Sequence, residues 1–254
     1  MDFNYVGSED REGMLQERPV VEGAIEAIAR AGAYQLQWSR AEHAGRKVYL
    51  SYTSTAGVVD RIEVDLNFLH RVAIDPPLAA ELWQPGDAER PSVKVVSVLE
   101  LISGKLCAAL DRAAARDLFD ISRLPGIAGK SWSSVRLRSV FVALAGTLIH
   151  PLHSYEPGRW RRLTDREVQA QLHPNLTHDD RPSAASMRDA AWAIVAPLVN
   201  LSAAEREYVD RIQAGELCPE LLFPDDGVMS KRLRRHPALL WRVENAKRHR
   251  QSRR

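Results

Sequence analysis

Two periodicities divide the chain. Between residues 34 and 68, apolar and polar side chains alternate in three short runs, residues 34–39, 47–53 and 61–68, and a loop signal around Gly57 separates the second from the third. Alternation with period two puts successive residues on opposite faces of a strand. In the third run Ile62, Val64, Leu66 and Phe68 fall on one face, and Glu63, Asp65 and Asn67 on the other. With no helix between the runs, they predict a small antiparallel sheet. Residues 2–6 begin another strand, and residues 7–11 form a turn. Over residues 14–31 the period changes: Leu15, Val20, Ala24, Ile25, Ile28 and Ala29 fit one face of a helix that Gly32 ends.

After a proline-rich passage (Pro76, Pro77, Pro85, Pro91), a short strand over 92–96 leads into a helical segment, ELISGKLCAALDRAAARDLFDI. Pro125 and Gly126 close that segment and mark the expected domain boundary. Beyond it, helical spacing predicts helices over 132–148, 165–172, 183–198 and 202–215, with a polar loop at 174–182 and an irregular stretch at LCPELLFPDDG. The reading is an α+β chain: residues 1–125 as a small mixed sheet with helices, residues 126–254 as a helical domain whose basic tail is disordered from about His249.

Composition changes little in this picture. A chain of 254 residues, 45% hydrophobic and 27% charged with net charge +2, has enough apolar material for one large core or two smaller ones. Cys107 and Cys218 are too few and too far apart for a disulfide framework or a zinc site. Neither a membrane span nor a secretory signal is present, which gives a cytoplasmic expectation and no membrane partner. Cations do concentrate in KRLRRHP and AKRHRQSRR, the expected contact for nucleic-acid phosphates through Arg232, Arg234 and Arg235, with Trp241 packed in the core.

Candidate chemistry lies in the strands and the first helical segment. Asp65 is an acid inside a strand, and Asp2 an acid at the start of one; two such carboxylates on the same side suit Mg²⁺, which prefers hard oxygen ligands. Each alone also fits a solvent-facing side chain. Lys47 and Tyr49 share a strand face, as a nucleotide site or as a protected sheet edge. Lys105 shares a helix face with Leu101, Ile102, Leu106 and Ala109, where an ammonium needs an anion, phosphate or carboxylate, unless it snorkels to water. Asp117 and Asp120 lie one turn apart. In an unbroken helix Lys105, Ala109, Arg112, Arg116 and Asp120 form one stripe, with Asp120 as a candidate general base. The eight histidines show no HxxxH or HExxH spacing, and no GxSxG, GxGxxG or GxxxxGK[ST] motif occurs.

The ordered set MDFNYVG, EHAGRKVYL, IEVDLNF, LELISGKLCAALDRAAARDLFDI and CPELLFP…RLRRHPALLWRVEN resembles the AbiEii family of nucleotidyltransferase-like toxins, across nearly the whole chain. The resemblance implies a DNA polymerase β-like nucleotidyltransferase core followed by a helical domain. It further implies nucleotide transfer from an NTP with Mg²⁺ to an RNA acceptor, tRNA in some members, under control of a cognate antitoxin. Carried over, Asp2 matches the second acid of a metal-binding Asp-x-Asp, and Lys47 and Tyr49 a Lys-x-Tyr motif. Lys105 matches the nucleotide-phosphate lysine, Asp120 the acid of a Phe-Asp motif, and Asp65 the third core carboxylate. These residues are expected to converge in one cleft.

One departure accompanies the match. The family pattern places a Gly-rich strand and helix and a first Asp ahead of the position that Met1 holds here, so the expectation is a truncated toxin, or one whose reading frame starts upstream, with impaired transfer. The rivals are a non-catalytic remnant that binds nucleotide or antitoxin, and an RNA-binding module built on the basic C-terminal segment.

Overall fold

The computed structural model describes residues 2–252, which pack into two compact units: residues 2–73 with Arg235–Ala238, and residues 74–234 with residues 239–252. The division therefore falls between Ala73 and Ile74 and not near residue 125. Pro125 and Gly126 lie inside a helix, α3. That helix packs on other helices of the second unit, which is why the segment before Pro125 belongs with the helical part.

The first unit is a four-stranded mixed sheet with one helix. Strands β1 (Asp2–Asn4), β2 (Gln35–Trp38), β3 (Gly45–Thr53) and β4 (Val59–Asn67) are ordered β1-β4-β3-β2. The three alternating runs pair antiparallel as expected, and β1 adds to β4 in parallel. Helix α1 (Arg11–Ala31) starts where the Asp10 carboxylate accepts the Gly13 N–H, and Gly32 caps its end. Met14 and Ala29 of α1 pack with Val48, Leu50, Val64, Leu66 and Phe68, so the apolar face of the alternation becomes a core.

Coverage of that face is partial. Beside α1 an apolar groove of about 660 Å³ runs over Phe3, Leu50, Ile62, Val64 and Leu66. The α1 residues along it include Val20, 71% exposed, and Ile28, 62% exposed. The sheet thus has one face that is apolar and half-covered, and an opposite face that is polar.

The second unit is helical apart from a two-stranded antiparallel ribbon, β5 (Leu78–Glu81) with β6 (Ser92–Val95). Helices α2 (Val98–Asp111) and α3 (Ala115–Ala128) form a hairpin packed on α4 (Val135–Ala145) and α6 (Ala184–Val199); α5 (Asp165–Gln171), α7 (Ala203–Gln213), α8 (Gly227–Arg235) and α9 (Pro237–Gln251) are the other α-helices among the described residues. Leu106, Leu118, Phe141, Trp160 and Tyr208 are among its fully buried side chains. The Trp160 indole donates to the Ala109 carbonyl at 3.1 Å, satisfying the polar tip of a buried ring.

Two expectations change here, and the arginines of the basic segment gain partners. Helix α9 runs to Gln251, so the chain from His249 to there is helical; Arg250 bonds the Ala214 carbonyl at 2.7 Å and Arg248 pairs with Glu244 at 3.3 Å. Trp241 is 55% exposed and not a core residue. The arginines of KRLRR are tied to the protein itself: Arg232 donates to the Ile74 carbonyl at 2.8 Å, Arg234 pairs with Glu220, and Arg235 pairs with Glu9 at 2.5 Å. These bonds position the three guanidiniums, and the pairs of Arg234 and Arg235 are half-exposed surface contacts.

The Ile74 backbone is held on both sides. Its N–H donates at 3.0 Å to Oε2 of Glu100, a carboxyl 6% exposed, while the neighbouring Asp75 pairs with Arg136 at 2.8 Å. Burial pushes the Glu100 carboxyl up to about 7, and its Oε1 has no hydrogen-bond partner. A carboxyl raised from about 4.5 stabilises the fold below its unfolded value, and that contribution is lost as pH rises toward 7, about 3 kcal/mol in all. Glu100→Gln keeps an acceptor for the Ile74 N–H without a charge. Thermal melts should show the variant gaining on the wild type from pH 5 to pH 8; a constant gap would mean that Glu100 is not buried in its charged form.

Candidate functional site

The polar face of the first unit is built by register. Asp2 lies opposite Asp65, and Lys47 lies opposite Asp65 on its other side, so one row crosses three strands: Asp2, Asp65, Lys47. Cross-strand partners point to the same face. One step along, Tyr49 is paired with Glu63. The alternation that buries Val64 and Leu66 therefore presents Glu63 and Asp65 together, as the sequence predicts.

Lys47 links this row. Its ammonium donates to Asp65 Oδ2 at 3.0 Å and to Glu63 Oε1. The bond to Glu63, then that to Asp65, holds the Lys47 ammonium above its ordinary pKa, and Lys47 in turn draws Glu63 below the usual carboxylate range. Arg61 stacks over the Tyr49 ring with its guanidinium carbon 4.9 Å from the centroid, which occupies one face of the ring. Glu63 is the member of the set that the motif reading omitted. Its position two residues before Asp65, on the same strand face, was the available signal.

Asp2 and Asp65 offer hard carboxylate oxygens only. Among the described residues no three His, Cys, Asp or Glu side chains converge as a ready metal cage. A two-carboxylate donor set fits Mg²⁺, which takes one or two carboxylates and completes its shell with water and substrate phosphates. It does not fit a softer metal that needs His or Cys.

Lys105 and Asp120 belong to the helical unit, and they meet directly. Lys105 Nζ donates to Asp120 Oδ2 at 2.5 Å across the α2–α3 hairpin, both side chains being half-exposed. The stripe expected from an unbroken helix does not exist, because the chain breaks after Asp111 and Ala113 takes φ +55°. The turn replaces a helical path of steps along one face with a direct ion pair. Of the two anions that the Lys105 position invited, the carboxylate is the one in place. The buried face of α2 is Ile102, Ser103, Leu106, Ala109 and Leu110; Lys105 sits at its margin, and Leu101 is exposed.

Asp117 parts company with Asp120. It is buried, accepts from Arg112 at 3.2 and 2.8 Å, and meets the Ala114 N–H at 3.4 Å, capping the start of α3. Its work is to hold the turn. Asp120, one turn on, carries the available carboxylate.

The apolar groove lies on the opposite face of the sheet from the carboxylate row, since Phe3, Val64 and Leu66 alternate with Asp2, Asp65 and Asn67. It holds none of the candidate chemistry.

Comparison with known proteins gives these residues a context. Curated proteins show no significant match to the chain. A solved structure of MenT4, a nucleotidyltransferase toxin from Mycobacterium tuberculosis H37Rv, superposes with a TM-score of 0.54 at 18% identity, covering 94% of this chain and 77% of that one. At that identity the likeness concerns the fold: a mixed α+β architecture shared with a nucleotidyltransferase toxin. The family model described as nucleotidyl transferase AbiEii toxin, type IV toxin–antitoxin system, matches residues 1–193. With three quarters of its length matched by that family model, the chain belongs to the AbiEii nucleotidyltransferase toxin family.

Proposed function

We propose that this toxin-family nucleotidyltransferase moves a nucleotide from an NTP to an RNA acceptor, with tRNA as the first candidate, that it uses Mg²⁺, and that a cognate antitoxin restrains it. The observation that carries the reading is the row Asp2–Asp65–Lys47 on the polar sheet face, where two carboxylates and a cation occupy neighbouring strands. Asp2 and Asp65 would hold the divalent cation, which when bound supplies neutralisation of triphosphate charge. Lys47 binds phosphate oxygens, and Tyr49 offers a ring edge and hydroxyl to the nucleoside. In the helical unit, Lys105 exchanges its carboxylate partner for a phosphate, and Asp120, released from it, accepts the proton of the attacking hydroxyl. The acceptor RNA and the antitoxin rest on the family resemblance, as does a cytoplasmic site of action.

The test is direct. The purified chain is incubated with Mg²⁺, total tRNA and each of the four NTPs labelled at the α-phosphate, and label covalently joined to RNA is counted. Any label joined to RNA should require both Mg²⁺ and one preferred NTP. NTP binding without any joined label would favour the non-catalytic reading.

A further inference from the structure

The polar sheet face supplies its own counter-ion. Lys47 Nζ reaches Asp65 Oδ2 at 3.0 Å and also Glu63 Oε1, and the three residues share one face of two adjacent strands. An ammonium and a divalent cation both seek the lone pairs of a carboxylate, and they repel one another at such distances. Cation binding at Asp65 therefore competes with Lys47 for the carboxylate. Glu63 makes yielding cheap, because the ammonium can release Asp65 without losing its last anion.

We infer that Lys47 is an exchangeable counter-ion of Asp65, displaced by an incoming divalent cation, and that Glu63 is the carboxylate on which the displaced ammonium stays. This rests on the proposed role of Asp65 as a metal ligand. It gives Lys47 a positioning task beyond phosphate contact: it keeps the acidic face paired until the cation arrives, then leaves the ammonium beside the cation for an anionic substrate.

Mn²⁺ serves as the probe, its free concentration read by electron paramagnetic resonance during titration of the full chain. Asp65→Asn should weaken binding. Lys47→Met should tighten it roughly three- to fivefold, the worth of one exposed ion pair. Arg61→Met, which removes an equal charge from the same strand face, should change it less than Lys47→Met does. Glu63→Gln should loosen binding about twofold when Lys47 is present and have no effect in the Lys47→Met background. If Lys47→Met binds Mn²⁺ no tighter than Arg61→Met while Asp65→Asn still weakens it, the exchange is wrong and the metal reading stands. Equal loosening by Glu63→Gln in both backgrounds makes Glu63 a ligand and overturns its anchoring role. Mn²⁺ binding indifferent to Asp65→Asn overturns both.

Discussion

Asp65→Asn is expected to lower label transfer to RNA by about a thousandfold while leaving the melting temperature nearly unchanged. The substitution preserves the volume of a side chain outside the core of its sheet, since the buried residues on either side of it in β4 are Val64 and Leu66. Lys47 keeps Glu63 as a partner, so the structural cost is that of one exposed ion pair, at most about 1 kcal/mol. The chemical cost is larger because charge stabilisation at a metal-assisted phosphoryl transfer contributes several kcal/mol, and each 1.36 kcal/mol is tenfold in rate. Lys105→Ala should match it in size, and Asp120→Asn should lower the rate less than either. Asp117→Asn should do the reverse: it weakens the Arg112 pairing and the α3 cap, lowering stability while the rate of folded protein changes little. Rates measured alongside thermal melts separate the two aspartates. Asp65→Asn protein with wild-type turnover would remove that carboxylate from the chemistry.

The contrast between Asp117 and Asp120 also shows where sequence reading stops. Period-two alternation in IEVDLNF located Asp65 and its face, because a strand with one buried side leaves little freedom of register. The same logic placed Lys47 beside Tyr49. The α2–α3 turn was not legible: alanine is the strongest helix former, and DRAAARD reads as continuous helix. Tertiary packing overrides that preference, burying Ala113 and Ala115 while Asp117 caps the new helix start. Strand β5 escaped notice because Leu78–Glu81 contains no β-branched residue and is held by its pairing with β6. The partners of the arginines of α8 were not legible either, since a count of cations says nothing about what they contact. Long-range pairs such as Arg232 with Ile74 leave no mark on local spacing. The same holds for the buried histidine of the first unit.

His236 should make the first unit acid-labile. It is fully buried, its ring packs edge-on against His70 at 5.2 Å between centroids, and neither ring nitrogen has a hydrogen-bond partner. Burial, with the nearby His70 and Arg71, pushes the imidazole down to about 3, and burial also lowers His70. For a histidine depressed in the folded state the neutral form is the native one. Its stabilisation is complete above the unfolded value of about 6.5 and is lost as pH falls from there toward 3. The loss is about 2 kcal/mol by pH 5 and about 5 kcal/mol at the acid limit, large against the usual stability of a small domain. His236→Phe and His236→Leu remove both the proton site and two buried nitrogens left without partners, a change that apolar replacement makes neutral or favourable. Melts of the wild type and both variants between pH 7.5 and 4.5 should therefore diverge as pH falls, the variants holding their melting temperature longer, with two substitutions of different volume guarding against a packing artefact. Parallel pH profiles for all three proteins would show that His236 takes up its proton without leaving its buried place, and the buried-neutral account of this unit would fall.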